Sequence, residues 1–287
     1  MFADQPATCG CEGSNQAAVA VRSGGRRIAI PDEALTAILT RLKLMAIRDQ
    51  LTNLLVEASR RNLTLLDTIQ FLCEAEITRK DDRRIQMGLS IAKFPCVRTL
   101  DTFDYDAQPS IDPKQVRELA TGRWVANGDA LLLLGPPGVG KTHLAIALGR
   151  EIIQRGYTVL FTTAANLLAQ LAKAQHENRL EDRLLHFTKP RLLIIDELGY
   201  LPLEPDAAHL MFQLVSRRYE RGSMLVTSNL TTSEWGSIFG DPVVATAILD
   251  RLLHHSHVLT IRGDSYRLKE KRKSGLLKPI NLTASAN

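Results

Sequence analysis

The sequence predicts an α/β domain with a five-stranded parallel sheet flanked by helices, preceded by a small all-helical domain. In the second half of the chain, five apolar runs of strand length alternate with helical patterns, which is typical of a parallel sheet covered on both faces. The runs are almost continuously apolar, as expected for strands buried on both sides. They are ALLLL (130–134), TVLFT (158–162), LLIID (192–196), MLVTS (224–228) and HVLTI (257–261).

The first half of the chain is expected to be helical after a disordered leader. Residues 1–31 are rich in Ala, Gly, Ser and Gln without sustained periodicity, whereas residues 32–95 carry apolar side chains at three- and four-residue spacings. A first helical region begins at Asp32. A second helix starts near Thr64, which has Asp67 three residues on in a capping arrangement, and runs through Ile77.

A third helix is predicted over residues 81–92. Arginines and lysines make the helical domain locally basic, but acidic residues partly offset them, a pattern more typical of a solvated face. The stretch KFPCVRTLDTFDYDAQPSIDP, with three prolines, cannot continue a helix. We therefore predict a linker over 96–122 and a core over 123–262.

Composition and charge limit the class of protein. The 287 residues are 45% hydrophobic and 23% charged, as in ordinary globular proteins, and no apolar run reaches the ~20 residues of a membrane span. The first residues do not resemble a signal peptide, so we expect a cytoplasmic protein without a membrane partner. The four cysteines are too few and too scattered for a disulfide framework, and we interpret them as reduced thiols.

The positive charge is concentrated near the C-terminus. The segment from Arg262 to Lys278 contains seven cationic and two acidic residues. Its surplus of positive charge equals the net charge of +5 of the whole chain. Residues 263–287 are therefore predicted to form a basic tail. Such a tail is typical of an arm that binds a polyanion, and a solvated tail that aids solubility is the alternative.

The sequence GPPGVGKT follows the first predicted strand and opens a helix, as a phosphate-binding loop requires. Its glycines allow backbone N–H groups to turn inward around phosphate oxygens, and the helix N-terminus adds positive charge. Lys141 is expected to reach the β- and γ-phosphates, and the Thr142 hydroxyl to ligate Mg²⁺. The predicted nucleotide-binding residues are Gly135, Pro136, Pro137, Gly138, Val139, Gly140, Lys141, Thr142 and His143.

Two acidic residues end the third predicted strand, in LLIIDE. A buried, unpaired carboxylate costs several kcal/mol, so packing alone does not explain them. Asp196 is expected to hold Mg²⁺ through water, and Glu197 to polarise a water for attack on the γ-phosphate. Asn229, at the end of the fourth strand, is expected to orient that water, with capping of the following segment as its alternative role.

Arg251, in AILDRLLHH, is expected to act on the nucleotide of a neighbouring subunit as an arginine finger. A surface pairing of Arg251 with Asp250 is the alternative. His254, His255 and His257 follow closely, but no close carboxylate or cysteine partner is expected for them, so no metal site is predicted there.

These segments together resemble the AAA+ ATPases and, more narrowly, the IstB-like transposition helper proteins. The resemblance covers residues 32–275 and is carried by KFPCVRTLDTFDYD, GPPGVGKTHLA, LLIIDELGYLPL and the stretch from TSNLTTSEW to GDSYRLK. It implies an ATP and Mg²⁺ site with hydrolysis, no C-terminal lid domain, and Arg267 as a second nucleotide sensor. The relatives assemble as ATP-bound homo-oligomers around duplex DNA with little sequence preference, and deliver it to a partner transposase. Their helical N-terminal domain is associated with contacts to DNA and transposase.

Two other functions remain open at this point. A DnaC-type loader of a replicative ring helicase shares the core and much of the Arg251 region, but would favour single-stranded DNA. An adaptor that binds nucleotide without hydrolysing it is a third possibility, although Asp196, Glu197 and Asn229 argue against it. The strings EWGSIFGD and DRLLHH favour the transposition helper.

Overall fold

A computed structural model of the chain describes residues 33–200, 205–263, 265 and 266, together with the backbone of residues 21–23 and 26–28. The chain forms two compact units that divide between Arg83 and Arg84. None of the helices in these ranges has the length and apolar character that crossing a bilayer would require.

The first unit is helical, as predicted, with a short hairpin before it. Strands β1 and β2 pair antiparallel inside the segment 1–31 that was expected to be disordered; the rest of that segment lies outside the described residues. A small cluster of apolar side chains, with Leu39, Ile47 and Leu51 buried at its centre, holds the first two helices together. The elements are β1 Val21–Ser23, β2 Arg26–Ile28, α1 Glu33–Arg41, α2 Met45–Arg60 and α3 Leu65–Ala92, whose last residues, from Arg84 on, belong to the second unit.

The helix boundaries differ from the prediction in two places. The first predicted helical region is two helices, and α2 begins at Met45 because the buried carboxylate of Glu76 accepts hydrogen bonds from the N–H groups of Ala46 (2.6 Å) and Ile47 (3.2 Å). The predicted second and third helices are the single helix α3. The apolar period is interrupted in its middle, but the charged residues there favour helix and contain no Gly or Pro.

The predicted cap at the start of α3 is confirmed. The N–H of Asp67 donates to the Thr64 hydroxyl at 3.2 Å, and the N–H of Thr64 donates to the Asp67 carboxylate at 3.3 Å. These reciprocal bonds satisfy two N–H groups that a helix start otherwise leaves without a partner. The helix therefore begins where the sequence predicts.

The second unit is the predicted α/β domain with five parallel strands. The strand order is β4-β5-β6-β3-β7, and each of the five apolar runs forms a strand within two residues of its predicted bounds. Its remaining elements, in chain order, are α4 Pro113–Ala120, α5 Arg123–Asn127, β3 Ala130–Leu134, α6 Lys141–Gln154, β4 Val159–Thr163, α7 Ala164–His176, α8 Leu180–Thr188, β5 Leu192–Leu198, α9 Pro205–Arg218, β6 Ser223–Ser228, a 3₁₀ turn Thr232–Glu234, α10 Trp235–Phe239, α11 Pro242–His254 and β7 Ser256–Thr260.

Alternate residues of the strands enter two separate cores. On β3, Leu132 packs against one face with α7 and α9, while Leu131 and Leu133 pack against the other with α4 and α6. This alternation is the period-2 geometry of a strand covered on both sides. Because β5, β6 and β3 are parallel neighbours in the sheet, their carboxyl ends lie side by side at one edge.

Residues 96–122 are not the linker that was predicted from the sequence. They contain helix α4, whose N-terminus is capped by Asp112 through a 2.8 Å bond from the Lys114 N–H, with Pro113 at its first position. Ile111 and Val116 are buried in the core of the second unit. Pro113 therefore starts a helix and does not belong to an extended connection.

Candidate nucleotide site

The loop between β3 and α6 is a tight turn built on glycines with positive φ. Gly138 has φ 82° and Gly140 has φ 100°, values that residues with a Cβ rarely adopt. A Cβ at Gly138 would meet the Ser265 side chain, and one at Gly140 would meet the ring of Phe103. The loop is thus held closely from both sides, and glycine is required at these two positions.

The Lys141 side chain is folded into this loop. Its ammonium donates hydrogen bonds to the carbonyls of Gly135 (2.7 Å) and Pro136 (2.8 Å), and the residue is 6% exposed. Burial lowers the pKa of Lys141, while the charges of Asp196 and Glu197 oppose that shift. A cation is therefore held at the point where the loop would meet the phosphates of a nucleotide.

Asp196 lies at the centre of a polar cluster at the ends of β5 and β6. The Thr142 hydroxyl is 3.0 Å from both carboxylate oxygens, and the Thr227 hydroxyl donates to Asp196 Oδ1 at 2.5 Å. Asp196 is 3% exposed, so the cost of burying its carboxylate is offset by these donors and by the nearby Lys141 ammonium. A carboxylate and hydroxyls are the hard oxygen ligands that Mg²⁺ prefers, so these residues fit that ion.

Glu197 differs from Asp196 in exposure and backbone conformation. It is exposed, it lines the cleft beside the loop, and its φ is 63°. The regular pairing of β5 with β6 is broken between Ile195 and Leu198, and the Glu197 N–H donates instead to the Thr227 hydroxyl at 2.9 Å. A left-handed conformation costs a non-glycine residue about 1–3 kcal/mol and is often found at functional sites.

A cleft of about 460 Å³ opens above the loop, large enough for part of a nucleotide. One wall is formed by the loop and the strand ends with Glu197 and Thr227. The other wall belongs to the segment before α4 and includes Arg98 and Phe103, with Tyr266 at the margin. Thr227 and this second wall were not among the predicted site residues.

His143 connects the two walls. Its Nε2 lies 3.0 Å from the Thr99 carbonyl oxygen and 3.3 Å from the Thr102 hydroxyl, and its ring meets the edge of Phe103 at 5.2 Å between centroids. It also lines the cleft. His143 therefore fastens residues 99–103 to the first turn of α6, beside Lys141 and Thr142.

Asn229 lies just past the strand ends rather than among the described residues that line the cleft. Its Oδ1 is buried and has no hydrogen-bond partner within the described part of the chain. Gly199, two residues after Glu197, is its close neighbour. Asn229 is thus near the catalytic candidates, but Thr227 occupies the position in the cleft wall.

Arg251 is not part of the same cleft. Its guanidinium donates to the Ala247 carbonyl at 2.9 Å and lies 4.8 Å from the centroid of the Phe212 ring. It lines a separate small cavity with Gly128 and Gly222, which precede β3 and β6. Arg251 is therefore at the opposite edge of the sheet from Lys141. Arg267 lies outside the described residues.

The chain is similar to known ATP-binding proteins. The family model of the IstB-like ATP binding protein matches residues 37–274. The chain is 48% identical, over 81% of its length and 92% of the relative's, to an ATP-binding protein of insertion sequence IS5376 from Geobacillus stearothermophilus. It is 47% identical, over 85% and 92% of the two chains, to one of insertion sequence IS21 from Pseudomonas aeruginosa.

Among solved structures, AMPPCP-bound DnaA from Aquifex aeolicus is similar in fold. The TM-score is 0.51 at 18% identity, covering 66% of this chain and 57% of that one. This likeness concerns the fold, a parallel sheet flanked by helices. With a family model that spans most of its length, and relatives close to half identical, the chain belongs to the family of IstB-like ATP-binding proteins.

Proposed function

We propose that this protein is an ATPase that assembles on duplex DNA as an oligomer and delivers that DNA to a partner transposase, with hydrolysis driving disassembly. The observation that carries the ATPase part is the cluster of Lys141, Thr142, Asp196, Glu197 and Thr227 at one edge of the sheet. A protein that binds ATP without hydrolysing it has no need for the exposed carboxylate of Glu197 beside the buried carboxylate of Asp196.

The residues of the cluster take different roles because their surroundings differ. Lys141 would bind the β- and γ-phosphates, and Thr142 and Asp196 would hold Mg²⁺, which supplies positive charge to the phosphate oxygens. Glu197 is exposed to the cleft, so it can accept a proton from an attacking water. Asn229 would assist in placing that water.

The position of Arg251 supports an assembly in which subunits share sites. A guanidinium at the far edge of the sheet cannot stabilise charge in its own cleft, but it can enter the cleft of a neighbour. Each bound nucleotide would then stabilise a contact between two copies. Loss of the γ-phosphate would weaken that contact, so turnover would favour disassembly.

The part of the proposal that concerns DNA and transposase rests on the relatives. The two relatives described above are ATP-binding proteins of insertion sequences, which are mobile DNA elements. The net charge of +5 suits a polyanionic partner. Binding through Lys and Arg contacts to phosphates predicts little sequence preference and a steep loss of affinity with salt.

The test is sedimentation of full-length protein with ATP on duplex and on single-stranded DNA of unrelated sequences. Glu197→Gln is expected to bind ATP, lose turnover and form large complexes on duplex DNA that persist. Glu177→Gln, at an exposed position away from the cleft, is the matched control and is expected to behave as the wild type.

Two results would contradict the proposal. Wild-type turnover in Glu197→Gln would remove Glu197 from its role as base. Assembly on single strands only, or only in the presence of a helicase ring, would favour a DnaC-type loader instead.

A further inference from the structure

A set of metal-ligating side chains lies at the edge of the sheet opposite the nucleotide cleft. His254 and His255, at the end of α11, are joined there by Glu220 from the turn between α9 and β6. One ligand atom from each residue lies within 4.8 Å of the other two, and all three residues are exposed. The tertiary structure therefore brings the carboxylate of Glu220, which lies in a different part of the sequence, beside these histidines.

We propose that Glu220, His254 and His255 bind a divalent transition-metal ion of the zinc class. Two imidazoles and a carboxylate, with positions left for water, form a ligand set that zinc accepts. Imidazole favours Zn²⁺, Cu²⁺ and Ni²⁺ over Mg²⁺, so this site differs in selectivity from the one at Asp196. Zinc ligands lie ~2.0–2.2 Å from the metal, so each atom would have to move inward by less than about 1 Å.

Tyr219 contacts one of the three proposed ligands. Its hydroxyl lies 2.8 Å from His254 Nδ1, which leaves Nε2 of that ring for a metal. A hydrogen bond to the second ring nitrogen is the usual support of a metal-bound histidine.

The end of α11 and a nearby carboxylate place negative charge near the proposed ligands, while Arg218 and Arg251 line the same cavity as Glu220 and His255. His254 is the last residue of α11, where the helix dipole places partial negative charge. Glu220 adopts a left-handed φ of 57°, which glycine would adopt at lower cost, so the turn itself does not select a glutamate. Asp250, one turn before His254, adds a second carboxylate to this end of the helix.

The site has a structural consequence for Arg251. Arg251 lies three residues before His254 on α11, and it lines the same small cavity as Glu220 and His255. A metal bridging Glu220 to the two histidines would tie the end of α11 to the turn after α9. If the proposed function holds, the ion would thereby restrict the helix that presents Arg251 to a neighbouring subunit.

The experiment titrates metal-stripped, nucleotide-free full-length protein with Co²⁺, followed by its visible spectrum, and then with competing Zn²⁺. Nucleotide is left out so that the result does not depend on turnover or assembly. We expect Glu220→Gln, His254→Gln and His255→Gln each to lose one equivalent of bound Co²⁺ or to bind it at least tenfold more weakly. Tyr219→Phe is expected to weaken binding by about tenfold.

The matched control is His176→Gln, which removes an exposed histidine at the end of α7 and should leave binding unchanged. Thermal unfolding without metal checks that each variant is folded. Equal affinity and stoichiometry in all of the variants would overturn the proposal. Loss in the histidine variants but not in Glu220→Gln would also overturn it, because it would show a bare histidine pair.

Discussion

Thr227 on β6 donates a 2.5 Å hydrogen bond to Asp196 at the end of β5, the strand beside it. The same hydroxyl accepts the backbone N–H of Glu197 at 2.9 Å. One side chain therefore fixes both acidic residues of the candidate site. It does so where the regular pairing of the two strands breaks down.

This relationship predicts that Thr227→Val lowers turnover more than nucleotide affinity. The substitution keeps the shape of the side chain, but it removes one of the two hydroxyl donors to the buried Asp196 carboxylate and leaves the Glu197 N–H without this acceptor, at a cost of about 1–3 kcal/mol. Steady-state ATP hydrolysis and equilibrium nucleotide binding, measured on the same preparation, separate the two effects. Thr227→Ser retains the hydroxyl and should retain most of the activity; a Thr227→Val enzyme with unchanged turnover would show that the two bonds do not matter.

The lowered pKa of Lys141 predicts how the free energy of unfolding depends on pH. Burial lowers its pKa in the folded protein, so between that lowered value and the usual 10.5 the unfolded chain binds more protons than the folded one. The free energy of unfolding contributed by Lys141 must then rise with pH in this window. Urea unfolding of nucleotide-free wild type and Lys141→Met should show wild type gaining stability relative to the variant as the pH approaches 10.5.

A constant difference between the two proteins over that range would contradict the shifted pKa. The same variant serves a second purpose, because Lys141→Met and Lys141→Ala should both lose nucleotide binding. Normal ATP affinity in either variant would reject the assignment of the loop.

If Arg251 acts on the nucleotide of a neighbouring subunit, two inactive variants should restore ATP hydrolysis when they are mixed. Arg251→Ala should bind ATP but turn it over slowly, and Lys141→Ala should bind none. Mixed oligomers pair an intact loop from one copy with an intact arginine from the other, so hydrolysis should partly recover on mixing. Because Arg251 also packs on Phe212, the thermal stability of Arg251→Ala is measured alongside.

Two outcomes distinguish the possible roles of this arginine. Recovery on mixing supports a site shared between subunits. Full activity of Arg251→Ala alone, under conditions that allow assembly, would show that the residue has only its packing role.

Substitutions of Arg218 and Arg217 should destabilise the protein to very different degrees, although the two residues are neighbours in the sequence. Arg218 is 1% exposed, and its guanidinium donates to the carbonyls of Phe187, Pro190, Arg191 and Ser223. Burial lowers the pKa of Arg218 to about 10, so it remains charged near neutral pH. Arg218→Met leaves those buried carbonyls without a donor and should lower the free energy of unfolding by about 3–5 kcal/mol.

Arg217 pairs with Glu181 at 2.6 Å, but both side chains are exposed. Arg217→Ala should therefore cost no more than about 1 kcal/mol. Denaturant unfolding of both variants tests the comparison; equal losses would mean that the buried guanidinium contributes no more than a surface ion pair.

We predict that the start of helix α2 depends on the side chain of Glu76, which lies 30 residues after Ala46. Its carboxylate accepts the N–H groups of Ala46 and Ile47, and the Leu44 cap position has no side-chain cap of its own. Glu76→Ala should destabilise the protein by about 1–3 kcal/mol, with increased amide exchange at the start of α2. Glu74→Ala, an exposed neighbour on α3, should change neither measurement.

Local patterns were sufficient to predict the five strands, the phosphate-binding loop and the pair Asp196 and Glu197. The apolar runs reflect the burial of parallel strands on both faces, and the polar residues that follow them reflect a ligand site at the carboxyl ends of the strands. Both features are visible in residues that are adjacent in the sequence. The cap at Thr64 was predictable for the same reason, since its two partners are three residues apart.

Tertiary structure decided the features whose partners are distant in sequence. The start of α2 depends on Glu76, the geometry of Asp196 and Glu197 on Thr227, and the second wall of the cleft on the contact of His143 with Thr99. No periodicity encodes these contacts, because each joins residues brought together only when the units fold.

The sequence by itself determined which residue types stand at the carboxyl edge of the sheet, because parallel strands must present their ends there. Only the tertiary structure placed Arg251 at the other edge, with Glu220 beside His254 and His255. The physical reason is the length of α11, which carries its last turn from one edge of the sheet to the other before β7 begins.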